Sequence, residues 1–200
     1  STTGNTWLVA GNGITGTTVN TQNNAFSSNS IYYGNSSYTG AIAFNVGSST
    51  LDIGTGGLYV DPNGGSHTLN LGTSANITCA GIWKLVDGTG TIAQTAGTST
   101  VTMDATTTGQ NIYSNGQSFN NLIFNGTGGA WTLNGNTTTA GNFIITAGTV
   151  SPVATTITVG GNWDSSTGTF TYGTSTVNLT GTGSLKTPGT GSDFYNLTAA

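Results

Sequence analysis

The chain has 200 residues with two Lys, no Arg, six Asp and no Glu, a formal net charge of −4. Only 4% of residues are charged, so too few cations exist to neutralise phosphates, and nucleic acid and anionic lipid are excluded as expected partners. The single cysteine, Cys79, rules out an intrachain disulfide and reads as a small buried hydrophobe.

Residues 1–40 are the least regular stretch. Thr6-Trp7-Leu8-Val9, Ile14-Thr15 and Ile31-Tyr32-Tyr33 read as short strands. A strand–turn rhythm follows in Ala41–Val46, Thr50–Ile53 and Leu58–Val60, then a turn at Asp61-Pro62-Asn63-Gly64-Gly65, where Pro fixes φ and Gly permits positive φ. His67-Thr68-Leu69-Asn70-Leu71 and Thr100–Met103 alternate, with Val101 and Met103 inward. From Phe119 to Leu197 the chain is a series of runs of four to six residues rich in Thr, Val, Ile and aromatics, each bounded by Gly, Asn or Ser. Alternation there sets Val177 and Leu179 inward and Thr176, Asn178 and Thr180 outward. No run approaches the ~20 apolar residues of a membrane span.

Segments recur at long range. Ile77–Trp83 matches Ile157–Trp163, Gly97–Val101 matches Gly173–Val177, and Phe119–Leu122 matches Phe194–Leu197. A repeat of 75–80 residues built from short strands implies stacking. The expected fold is a single all-β domain over 1–200. It is a parallel β-solenoid (β-helix) of short Thr/Gly/Asn-rich coils, with an irregular part at 1–40 and related repeats at 41–118 and 119–197. The alternative is a β-sandwich or jelly roll with a donor strand. The C-terminal Phe194–Leu197, read on into Trp7 and Gly11–Thr15, follows the spacing of the internal Phe119–Leu122, Trp131 and Asn134–Thr138. That continuity suggests head-to-tail contact through Trp7, Leu8, Val9, Phe194, Tyr195 and Leu197, or a chain cut from a longer array.

The segments Gly161-Asn162-Trp163, Gly168-Thr169-Phe170, Gly173–Gly183 and Phe194–Leu197 resemble repeats of secreted microbial surface proteins of the adhesin-like and autotransporter-like kind. The resemblance covers roughly residues 77–200. It implies a β-helical fold and an extracellular or cell-surface location. A start at Ser1 without Met suits a product released by signal cleavage or a boundary cut within a longer chain.

The ionisable groups are Asp52, Asp61, Asp87, Asp104, Asp164, Asp193, Lys84, Lys186, His67, Cys79 and the tyrosines. They are scattered and do not recur at matched positions, so no catalytic residue, cofactor site or metal site is expected. Asp61 with Asn63, or Asp87, would be the place for a structural calcium ion. A sugar-stacking role for surface glycans would draw on Trp7, Tyr32, Tyr33, Tyr38, Trp83, Trp131 and Trp163. N-glycosylation sequons fall at Asn35, Asn76, Asn125, Asn136, Asn178 and Asn196. The functional expectation is a structural subunit of an extracellular filament, a homopolymer joined head to tail. The alternative is a stalk or glycan-binding segment of a larger surface adhesin.

Overall fold

The computed structural model describes residues 2–8, 16–34, 40–61, 65–85, 89–189 and 193–200. Among them every regular element is a strand. The chain forms two compact units, Ser1–Ser99 and Thr100–Ala200.

Unit 1 contains β1 (Thr2–Leu8), β2 (Thr17–Asn20), β3 (Phe26–Gly34), β4 (Ile42–Asn45), β5 (Thr50–Asp61), β6 (Ser66–Asn70), β7 (Asn76–Cys79), β8 (Trp83–Leu85) and β9 (Thr91–Thr95). The long strand β5 has β3 on one side. On its other side β7 lies along the first half, with Leu51 beside Ile77, and β8 along the second, with Leu58 beside Trp83. β1 pairs with β3. β2, β4, β6 and β9 form a separate ladder. All these pairings are parallel. Partners stand 25 to 27 residues apart, as in Ile42 beside His67 and Tyr32 beside Tyr59.

Unit 2 contains β10 (Thr100–Met103), β11 (Gln110–Tyr113), β12 (Ser118–Phe119), β13 (Asn121–Leu133), β14 (Thr137–Thr139), β15 (Phe143–Pro152), β16 (Thr156–Val159), β17 (Trp163–Asp164), β18 (Thr169–Phe170), β19 (Thr176–Leu179), β20 (Leu185–Lys186) and β21 (Asn196–Ala199). β13 takes β10 and β11 along its two halves and pairs with β15. β15 takes β17 and β18 in the same way, and β20 follows β17. The other ladder is β12, β14, β16, β19 and β21. Partners here are 19 to 22 residues apart, as in Trp131 beside Val150 and Trp163 beside Leu185.

Each unit is therefore a parallel β-solenoid, and the antiparallel sandwich is not what these residues build. The structural repeat is the coil, far shorter than 75–80 residues. The long-range sequence matches are corner motifs. Gly97–Val101 and Gly173–Val177 each place a positive-φ Gly two residues before a buried Ser, and Gly47-Ser48-Ser49-Thr50-Leu51 is a third copy. The Ser hydroxyl donates to the carbonyl three residues back: Ser49 to Val46, Ser99 to Ala96 and Ser175 to Tyr172. Trp83 and Trp163 end similar corners but sit at different places in the coil. Trp83 pairs with the second half of β5, whereas Trp163 pairs with the first half of β15.

Period-2 alternation builds the core. Val101, Met103, Ile157, Val159 and Val177 are fully buried, while Thr156, Thr158, Thr176 and Asn178 face out. Leu179 is only half-buried. Cys79 is buried. In the stretch expected to be irregular, β1–β3 keep the coil spacing, with register shifts between Thr2 and Asn5 and between Ser28 and Ser30. The inward positions of β3 include Ser28 and Ser30, both buried, so the apolar alternation that marks other strands is absent. Gly72 shows how tightly corners stack. Its φ is +82°, and a Cβ there would lie 1.7 Å from the Gly47 carbonyl oxygen, which Thr73 uses as a hydrogen-bond acceptor.

Candidate self-association surfaces

A side chain inside a parallel coil is covered by the coils on either side of it, but the outermost strand of a ladder has one uncovered flank. In unit 2 the effect is large. Leu185 lies in register with Trp163 and Leu197 with Val177. Trp163 and Val177 are 0% exposed, Leu185 is 43% and Leu197 42%. All four residues of β21 are exposed, and Tyr195 just before it is 59% exposed.

In unit 1 the corresponding flank belongs to β1. Trp7 is 56% exposed. One face of its indole stacks on Tyr32 at 4.2 Å and 11°, and Tyr32 stacks on Tyr59 at 5.1 Å and 11°. These three rings stand in register on the outer side of β1, β3 and β5. Their faces cover one another, so a sugar ring could reach only the outer face of Trp7.

Of the expected contact residues, Trp7, Tyr195 and Leu197 are thus open, and Leu8 is half-buried. Phe194 is drawn into the aromatic cluster of unit 2, 5.4 Å from Trp163 and 6.1 Å from Phe170. Val9 lies outside the described residues. Tyr33, Trp83, Trp131 and Trp163 are core residues and present no surface for a glycan. Tyr38 lies outside the described residues, and Tyr59, missed in the sequence, completes the outer stack.

Among the sequons, Asn76, Asn125, Asn136 and Asn196 are exposed and Asn178 half-buried, while Asn35 lies outside the described residues. Three of them already hydrogen-bond across coils. Asn136 Oδ1 accepts the Thr156 N–H at 2.9 Å, Asn178 Oδ1 accepts the Thr198 hydroxyl at 2.9 Å, and Asn196 Nδ2 donates to Thr176 at 3.4 Å.

Among the described residues no three of His, Cys, Asp or Glu are placed to hold a metal ion. Asn63 and Asp87 lie outside the described residues. Asp52 accepts hydroxyls from Ser27 and Thr78. The Asp164 carboxyl is held below its ordinary range, first by the Ser166 hydroxyl and N–H and then by Lys186, 3.7 Å away. A cavity of about 320 Å³ in unit 2 is lined by Ser165, Ser166, Thr169, Phe170 and Asp193 among others. The Ser165 hydroxyl there accepts the Trp163 indole N–H at 3.1 Å.

Sequence reasoning also missed a ladder of amides. Asn121 Oδ1 accepts the Asn142 N–H, Asn142 Oδ1 accepts the Asn162 N–H, and Asn162 Oδ1 accepts the Ser184 N–H, at 2.7 to 2.9 Å. The signal was an Asn before an apolar or aromatic residue, repeated every 20 or 21 positions. Among the described residues no helix is long and apolar enough to cross a membrane. No family model, curated protein or solved structure matches the chain.

Proposed function

We propose that the chain is a structural subunit of an extracellular filament or cell-surface assembly, joined head to tail through its terminal strands. The observation that carries this reading is the uncovered core column of unit 2. Leu185 and Leu197 occupy inward register positions yet are about two-fifths exposed. A further coil laid on β20 and β21 would bury both. Natural sheet edges are commonly blunted by charge or Pro. Residues 2–8 and 194–200 contain neither, although β20 carries Lys186, and among the described residues β1 and β21 each pair on one side alone.

Magnitudes set what the contact needs. Full burial of a Leu or aromatic side chain contributes about 1.5–3 kcal/mol. Association costs about 4–15 kcal/mol in lost freedom. Leu185, Leu197, Trp7 and Tyr195 together can meet the lower part of that cost, so strand pairing between copies must supply direction and the remainder. A contact between two different surfaces does not close on itself, which is why it propagates.

The test is mass against concentration. Light scattering of the intact chain should show mass rising with concentration in steps of one subunit. The double variant Leu185→Lys, Leu197→Lys should stay at one subunit with an unchanged strand signal by circular dichroism. A wild-type mass of one subunit at every concentration, or a variant that associates as the wild type does, would remove the proposal.

A further inference from the structure

His67 is the only histidine of the chain, and it points into the core of unit 1 with 1% exposure. It lies on β6, in register with Ile42 of β4 and Ile92 of β9. The Ile42 backbone N–H donates to its Nδ1 at 3.3 Å. That bond sets the tautomer: Nδ1 keeps its lone pair and Nε2 carries the proton. Nε2 is buried and has no hydrogen-bond partner among the described residues. It faces Gly34, where a Cβ would lie 2.5 Å from it.

The imidazole stacks on Tyr33 of β3 with centroids 5.1 Å apart. The Tyr33 hydroxyl in turn meets the carbonyls of Ile42 and Thr68. One pair of rings therefore ties β3, β4 and β6 together. The titratable groups facing His67 are Tyr33 and, at the end of β5, Asp61. β4 and β9 present Ile42, Phe44 and Ile92, and carry no ionisable residue. Burial pushes the Tyr33 phenol above its ordinary value, so it stays neutral. Burial holds the imidazole below its ordinary value, and the Asp61 carboxylate offsets only part of this.

The geometry points to a proton-triggered release: a proton taken up at Nδ1 of His67 removes an acceptor of the Ile42 N–H and opens the packing of β3, β4 and β6 in mild acid. Two N–H donors would then face each other across 3.3 Å, and a cation would lie in a core where the Asp61 carboxylate offsets only part of its burial. The unfolded chain binds this proton first, near the ordinary histidine value of about 6.5. Stability is therefore full above that pH, falls as pH drops through it, and levels off once the folded imidazole is protonated too. Tyr32, next to Tyr33, supports the Trp7 ring, so the opening also loosens the β1 flank.

The experiment is hydrogen exchange of the full chain at pH 7.5 and 5.5, corrected for intrinsic rates. Amides of β3, β4 and β6 should lose protection at pH 5.5, as follows from an imidazole held below its ordinary value in the folded chain, while β13, β15 and β16 keep theirs. His67→Phe and His67→Gln should abolish the difference. Equal protection at the two pH values, or an undiminished loss in either folded variant, would overturn the inference. Should neither variant fold, NMR titration of the single imidazole decides. A folded-state midpoint below that of the unfolded chain supports the release, and one at or above it rules the release out.

Discussion

In unit 1 the corner between β4 and β5 takes four residues, Val46–Ser49, and in unit 2 the corner between β14 and β15 takes three, Ala140–Asn142. The longer corner closes on itself through the Ser49 N–H and hydroxyl, both directed at the Val46 carbonyl. The shorter one has no room for that turn. Its amides go to the preceding coil instead: Ala140 to the Phe119 carbonyl, Gly141 to the Asn120 carbonyl and Asn142 to the Asn121 side chain. The difference belongs to these two corners and not to the units as wholes: the Ser closure recurs in unit 2 at Ser175 and Tyr172, and in unit 1 the Ser48 N–H is accepted by Asn23 of the preceding coil. Inside, unit 1 accommodates Ser28, Ser30 and His67, whereas unit 2 stacks Phe143 on Trp163 at 4.7 Å and 4°.

The largest break in this comparison should come from Trp163→Ala. The indole is fully buried between Phe143, Phe170 and Phe194, and the loss should be about 3–5 kcal/mol. Denaturant unfolding with exchange readout should assign it to unit 2. Next is Gly72→Ala in unit 1. Positive φ and overlap with Gly47 together should cost about 2–4 kcal/mol. Gly116→Ala is the control, since its φ is +73° but nothing lies within 4 Å, and it should cost only the backbone part, about 1–2 kcal/mol.

Asn142→Ala sharpens the corner argument. It strips the acceptor from the part-buried Asn162 N–H, for about 1–3 kcal/mol. Asn45→Ala in unit 1 removes only an exposed amide pair with Asn20 and should stay within about 0.5 kcal/mol. Equal losses would mean that unit 2 corners do not depend on the preceding coil. A comparably small effect is expected for Lys186→Ala. Its side chain is 64% exposed beside Asp164, and such pairs contribute about 0–1 kcal/mol.

Strand class and inward phase were legible wherever Thr or Asn alternates with Val, Ile or Leu, as in Thr156–Val159 and Thr100–Met103. Coil length was not, because the strongest sequence matches mark corners, and a corner motif serves any corner. Gly97–Val101 leads into β10 and Gly173–Val177 into β19, which belong to different ladders. Position within the coil depends on which strand lies alongside, a non-local fact. The core role of His67 was hidden for a related reason. Alternation placed Leu69 and Leu71 on one face, and His67 shares it, but in the sequence His67 counted only among the scattered ionisable groups. Trp7 and Leu197, singled out in the sequence by the continuity of the two ends, are exposed, while the capture of Phe194 by Trp163 needed three dimensions.

Electron microscopy of the intact protein at neutral pH and high concentration tests the head-to-tail account most directly. Unbranched filaments whose subunits repeat along one axis, absent from the Leu185→Lys, Leu197→Lys variant, are the predicted result. Discrete single particles for both proteins, with no end-to-end contacts at any concentration, would contradict it.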